Sequence, residues 1–151
     1  MIGTIRRPTV FDVEYLTKNA RQADKDEAFL LSGKGFAEVL NQTPGLYKNS
    51  FTWEVNGRLV CMYGATPWEG KKAMMWFLAT DEFDKHKRAA RVQCKKLFEE
   101  VIEGYDYLFN YVHYKHDKAL KWVRWLGCTV YEPEPIGLNG ELFCKIEVNN
   151  V

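Results

Sequence analysis

The sequence predicts a mixed α/β domain, with a mostly antiparallel sheet, a central parallel pair and helices on both faces. Three observations lead there. Asn56-Gly57 lies between the alternating apolar runs "NSFTWEV" and "RLVCMYGATPW", the pattern of a tight β-hairpin. Two continuously apolar stretches, "AMMWFLAT" and "YLFNYVHY", read as strands covered on both faces. A long segment of helical periodicity joins them. A strand–helix–strand crossover is right-handed and makes its strands parallel, which places the parallel pair at 74–80 and 107–113.

Each element follows from local chemistry. "GTIRRP" (3–8) is a short first strand. Thr9 with Asp12 three residues on is a capping box, and Val10, Val13 and Leu16, with Phe11 and Tyr15, give the helix after it an apolar stripe. Asp24 with Glu27 marks a second helix start ahead of "AFLL". After a break at Ser32-Gly33, "GFAEVLNQ" continues as helix. Past the hairpin, "EGKK" turns the chain into the first covered strand. In "DKHKRAARVQCKKLFEEVIEGY" the apolar residues Val92, Leu97, Phe98, Val101 and Ile102 recur at helical spacing, and Gly104 is the stop. "HDKALKWVRWLG" is a helix with Ala119, Trp122, Val123 and Leu126 inward and Gly127 just past its end. "CTVYEPEP" and "ELFCKIEV" are closing strands around "IGLNG". Without repeats or linkers, residues 1–151 read as one domain.

Composition excludes several classes. Apolar residues make up 46% and aromatics 15%, too much for a disordered chain. The chain carries 21 basic and 20 acidic residues, for a net charge of +1, which argues against nucleic acid as the main partner. The basic run "KHKRAARVQCKK" (85–96) is a local exception. No apolar run is long enough to span a bilayer, and "MIGTIRRPTV" has no secretory apolar region, so a chain that is not secreted and works in a reducing cytoplasm is expected. Cys61, Cys94, Cys128 and Cys144 are scattered in apolar runs and read as buried thiols.

Isolated candidates for chemistry are few. Asp81 and Glu82 follow the first covered strand, where a carboxylate could serve as a base, although helix capping is the simpler role. Glu54 is a further base candidate. His113 and His116 ("HYKH") have no third ligand at fixed spacing, so they read as rim residues and no metal is expected. The five tryptophans read as core or rim residues.

Two stretches carry a resemblance. Lys85-His86-Lys87-Arg88-Ala89-Ala90 follows a strand and opens the long helix, and "HDKALKWVRWLGC" (116–128) pairs an Ala119 and a Gly127 with apolar residues at fixed spacing. Together with the element order, they resemble the GNAT superfamily, the GCN5-related N-acetyltransferases, over nearly the whole chain. The resemblance implies that acetyl-CoA lies along Leu78, Ala79 and Thr80, over residues 85–90, and against His116. Lys85 takes the family's Gln/Arg position, Ala90 the final small residue, and Arg88 the place of a glycine that lets a pyrophosphate approach the backbone. Val123 stands where the family often carries a Tyr that protonates the leaving thiolate, and valine has no proton to give. Tyr114 or water is the expected substitute.

"TIRRPTVFDVE", "WFLATD" and "LFNYV" resemble, more narrowly, the GNAT-like internal virion protein A group of T7-type podoviruses. That resemblance implies a structural or interaction protein with eroded catalytic motifs. It would act with other virion or host proteins in the host cytoplasm during assembly, or in the virion. The alternative it leaves is an acetyl-CoA-dependent N-acyltransferase acting on an unidentified amine.

Overall fold

The computed structural model describes residues 2–42 and 48–150. In chain order, the elements before the hairpin are β1 (Thr4–Arg6), α1 (Val10–Asn19), α2 (Gln22–Ser32) and α3 (Phe36–Gln42). Next come β2 (Ser50–Val55), β3 (Arg58–Glu69), β4 (Lys72–Ala79), the single turn α4 (Glu82–Lys85) and the long helix α5 (Lys87–Ile102). The chain closes with β5 (Tyr107–His113), α6 (Asp117–Leu126), β6 (Thr129–Val130), a 3-10 turn at Leu138–Gly140 and β7 (Phe143–Asn149). The seven strands form one sheet in the order β1-β2-β3-β4-β5-β7-β6, and β4–β5 is its parallel pair.

The hairpin turn forms as the sequence predicts. Asn56 (φ 52°) and Gly57 (φ 76°) both take the left-handed conformation that the twist of a two-residue hairpin requires. The sheet separates two cores. On one face α1 and α3 bury Val13, Leu16, Phe36 and Leu40 against Leu59 and Met62. On the other, α5 and α6 bury Cys94, Val101 and Leu120 against Cys61, Met75, Leu108 and Val112. All four cysteines are buried free thiols, and burial pushes the Cys128 thiol up to about 12.

Several predicted details shift. The α1 stripe is narrower than expected: Val13 and Leu16 are buried, but Val10, Phe11 and Tyr15 are exposed. Val92 is 78% exposed on α5, while Ala90 and Cys94 take the inward positions. The long helical segment is broken at His86, so α4 is a separate turn before α5. "CTVYEPEP" pairs as a strand over only two residues, with one further bridge between Glu134 and Phe143.

Asp12 ties the first elements together. Its carboxylate accepts two hydrogen bonds from Arg6 (2.8 and 2.9 Å), one from the Thr9 N–H (2.8 Å) and one from Thr52 Oγ1 (3.1 Å). Burial pushes this carboxyl up, but the hydrogen bonds from Arg6, Thr9 and Thr52 together hold it below its ordinary value of 3.8. A carboxyl depressed in the folded state stabilises fully above its unfolded value and loses that contribution as pH falls through the folded one. Asp12→Ala is therefore expected to cost about 2–3 kcal/mol at neutral pH, read as a lower unfolding midpoint in urea. The deficit relative to wild type should shrink as pH is lowered below about 4. A constant deficit down to pH 2 would contradict this account.

Candidate active site

The site begins where the parallel pair comes apart. β4 and β5 pair only at Lys72–Tyr107, Ala73–Leu108 and Met74–Phe109, and beyond these the strands diverge. Antiparallel pairing with β3 turns alternate peptide groups of β4 away from that neighbour. The Thr80 N–H bonds to the Val60 carbonyl, so Met75, Phe77 and Ala79 face the gap.

Each of those groups but one is met by the protein. The Asn110 side chain closes the end of the ladder: Nδ2 donates to the Met75 carbonyl (2.5 Å), and Oδ1 accepts the Tyr111 N–H (2.7 Å). At the far end, the Ala79 N–H donates to Asp24 Oδ2 (3.0 Å) and the Ala79 carbonyl accepts the Arg21 N–H (2.9 Å). On β5, the His113 N–H donates to Glu27 Oε2 (3.2 Å). Asp24 and Glu27 lie three residues apart on one face of α2, so this helix bridges the mouth of the gap. Among the described residues, the Phe77 peptide is the gap-facing unit of β4 left open to a ligand.

A cleft of about 550 Å³ fills the gap, within the range of small-molecule sites. It passes through the sheet. Trp76, Tyr111, Arg21 at the N-cap of α2 and the α2 residues Asp24 and Glu27 line it on one face; Met75, Phe77, Val112, α5 and α6 line it on the other. Its apolar wall includes Phe83, Phe98 and Trp122, and the Trp122 ring meets Phe83 edge-on with centroids 5.3 Å apart. Lys87, Arg88 and Arg91 of α5 face Lys118 and Lys121 of α6 along its rim. The first-turn amides of α5 point the same way as its dipole, which favours an anion there.

His116 sits at the head of α6 and lines the cleft. Its Nδ1 lies 3.0 Å from Glu27 Oε2, the carboxylate that also caps β5. With Nδ1–H donating to Glu27, Nε2 carries the lone pair, the arrangement of an oriented base. His113 engages a different carboxylate, Glu141, at 2.6 Å. The two imidazoles therefore serve separate partners. Among the described residues, no group of three or more His, Cys, Asp or Glu could hold a metal ion.

The predicted site residues separate clearly. Lys87, Arg88, His116 and Val123 line the cleft. Leu78, Thr80, Lys85, His86, Ala89 and Ala90 do not; Leu78 packs in the opposite core, and Thr80 Oγ1 is spent on the Leu59 carbonyl (2.7 Å). Ala79 does not line it either, because Asp24 and Arg21 hold its peptide groups. Arg88 is the second residue of α5 in ordinary helical conformation, so no glycine is needed there for backbone geometry.

The base candidates move further. Glu82 lies outside the cleft, bound by Lys85 (3.0 Å) and Arg58 (3.2 Å), which hold its carboxyl below the usual range, the reverse of what a base needs. Asp81 makes no side-chain cap; the Thr80 hydroxyl instead accepts the Glu82 N–H (3.2 Å). Glu54 lies on β2, two strands from the gap, and bonds Arg6 (3.2 Å). Tyr114 does not line the cleft.

No family model and no curated protein sequence matches the chain. Solved structures do. Ard1 from Thermoplasma volcanium superposes with a TM-score of 0.73 at 14% identity, covering 100% of this chain and 99% of that one. The ribosomal-protein-S18-alanine N-acetyltransferase from Escherichia coli gives 0.65 at 14% identity, with 98% and 94% covered. YncA from Salmonella typhimurium, a putative acetyltransferase solved with acetyl-CoA, gives 0.66 at 11% identity, with 100% and 95% covered. At these identities the likeness establishes the fold, and the fold is that of the GNAT acetyltransferases.

Asn110 gives a test of the divergence itself. Asn110→Leu leaves the Met75 carbonyl and the Tyr111 N–H without their partner and is expected to cost about 1–3 kcal/mol in chemical denaturation. Fast hydrogen exchange at Tyr111 should accompany the loss. Unchanged exchange at that amide would show that Asn110 does not close the ladder.

Proposed function

We propose that this chain binds an acyl-CoA thioester and transfers the acyl group to an amine. The observation that carries the reading is a cleft through the sheet, rimmed by cations of α5 and α6, in which Glu27 of α2 meets His116 of α6 at 3.0 Å. Two reactants entering from opposite faces would meet between the strands. The rim of Lys87, Arg88, Arg91, Lys118 and Lys121 suits a phosphate-rich head, and the open Phe77 peptide suits an extended amide chain lying as a short added strand. Solved neighbours of this fold include complexes with acetyl-CoA and with CoA.

In the reaction, the amine nitrogen attacks the thioester carbonyl. The C–N bond forms, the C–S bond breaks, and CoA leaves as the thiolate. His116 Nε2 takes the proton that the amine loses, and Glu27 stabilises the imidazolium. Val123 supplies no proton, so the thiolate must take one from solvent or from the imidazolium.

Calorimetric titration with acetyl-CoA tests the binding step. Arg91→Glu with Lys121→Glu is expected to weaken it at least tenfold at low salt, with the difference shrinking as salt screens it. His116→Gln is expected to leave binding within about twofold and to lower CoA release by roughly 10²–10⁴. Turnover by His116→Gln equal to wild type would remove His116 from the mechanism.

A second reading is a non-enzymatic interaction protein in a phage particle, carried by Val123 in the place of the acid. It predicts acetyl-CoA binding without turnover, or neither, across a panel of amine acceptors.

A further inference from the structure

Four aromatic rings on the sheet form a cluster that belongs to neither core. Phe109 is its hub: Tyr107 stacks on it with ring centroids 6.0 Å apart, Tyr111 meets it edge-on at 6.1 Å, and Trp68 meets it edge-on at 5.7 Å. Among the described residues, none of the four packs with the core around Leu108 or with that around Met62. The three β5 rings are half-buried, and Trp68 is 63% exposed. A lone surface tryptophan needs no explanation, but a joined set of rings at the surface does, because exposed apolar patches mark sites of contact. Along β5 these rings alternate with Leu108 and Val112, which are buried in the α5–α6 core, so they lie on the opposite face of the sheet.

The cluster starts at the gap. Met74–Phe109 is the last pair before β4 and β5 part, and Tyr111, two residues on, lines the cleft together with Trp76. From Tyr111 the rings lead over Phe109 to Trp68 near the end of β3, away from the gap. The cations of the cleft stand on α5 and α6, so a phosphate-rich head has no reason to lie here. A reactant that reaches the gap on the Trp76–Tyr111 side would pass beside these rings.

The chemistry around the rings selects the group that lies on them. Glu147 is the register partner of Phe109; it accepts the hydroxyls of Tyr107 (2.6 Å) and Tyr131 and lies 3.9 Å from the Lys145 ammonium. Lys145 Nζ in turn stands over the Tyr107 ring at 5.4 Å. These two charges beside the rings are thus partnered with one another. A charged group would have to displace those contacts, whereas an aromatic group takes the ring edges and faces as they stand.

We propose that the acceptor is a primary amine bearing an aromatic group, whose ring lies against Phe109 and Trp68 while its nitrogen enters the gap. The proposal rests on the acyl-transfer reading for the reaction and adds to it the class of the acceptor.

The full chain is assayed for CoA release from acetyl-CoA with butylamine, 4-phenylbutylamine and spermidine as acceptors. The ratio of kcat/KM for 4-phenylbutylamine to that for butylamine is expected to be about tenfold or more, carried mostly by KM. Trp68→Ala should lower that ratio roughly fivefold, and Trp68→Phe, which keeps a ring, should retain most of it. Circular dichroism checks that both variants are folded, as expected for a largely exposed side chain. A ratio near one in the wild type, a preference for spermidine, or a ratio unmoved by Trp68→Ala overturns the proposal and leaves acyl transfer in place. Docking is read without turnover from the Trp68 indole proton in the NMR spectrum, assigned by its loss in Trp68→Phe. 4-Phenylbutylamine should shift that proton; butylamine should not. If no amine is acetylated but the shift remains, the acyl-transfer reading fails and the docking surface for an aromatic amine stands. No shift with 4-phenylbutylamine at millimolar concentration overturns the surface in either case.

Discussion

The separation of β4 from β5 after three paired residues is the constraint on which the rest of the site depends. Parallel strands that part inside a sheet leave N–H and C=O groups facing a hole, and a hole in a core is costly unless its walls are satisfied. This chain satisfies them from the side. Asn110 bridges the fork, Asp24 and the Arg21 N–H take both groups of Ala79, and Glu27 takes the His113 N–H. The gap is thereby built into the folded state, and the peptide left open at Phe77 is placed at its centre.

Using carboxylates as backbone caps has a second effect. Asp24 and Glu27 put acidic groups on the α2 face of a cleft whose other face is rimmed by Lys87, Arg88, Arg91, Lys118 and Lys121. Basic residues in the first turn of α5 oppose the helix dipole, a local cost that a bound anion would offset. Asp84 offsets part of it, lying 3.8 Å from Lys87. Arg21 is drawn the other way, paired with Asp24 at 3.2 Å and set over the Phe83 ring at 5.7 Å. Under the proposed acyl transfer, a cleft polarised in this way would take an anionic reactant from one side and an amine from the other, so that the two would not compete for one mouth.

Much of the fold was legible because its signals are local. Asn56-Gly57 is a turn in any context, Thr9 and Asp12 cap each other within one turn, and the two covered strands with a helix between them leave a single handedness. The site was less legible because its signals are distant. Asp24 meets Ala79 across 55 residues, and Glu27 meets His113 and His116 across 86 and 89 residues. In sequence both carboxylates look like first-turn residues of a helix. Where motif alignment was the guide, it found the rim residues Lys87 and Arg88 and the helix residues His116 and Val123. It also drew in Ala79 and Thr80, which do not line the cleft and whose peptide groups are bonded within the protein.

The replacement of a tyrosine by Val123 and the presence of His116 at the head of the same helix bear on one another. Both line the cleft, two helical turns apart on α6, and Trp122 beside Val123 fills the wall with a ring packed against Phe77 and Phe83. A phenol at 123 would have to share that wall with the indole, at the cost that overpacking carries. An imidazole at 116 avoids the crowding, because it is positioned by Glu27, a residue of a different helix across the cleft. On the proposed mechanism the proton-handling group would stand at the start of α6, where the carboxylate that caps β5 is already fixed in place. The same glutamate that caps β5 also meets the imidazole, so one side of the gap and the chemistry proposed within it rest on one side chain.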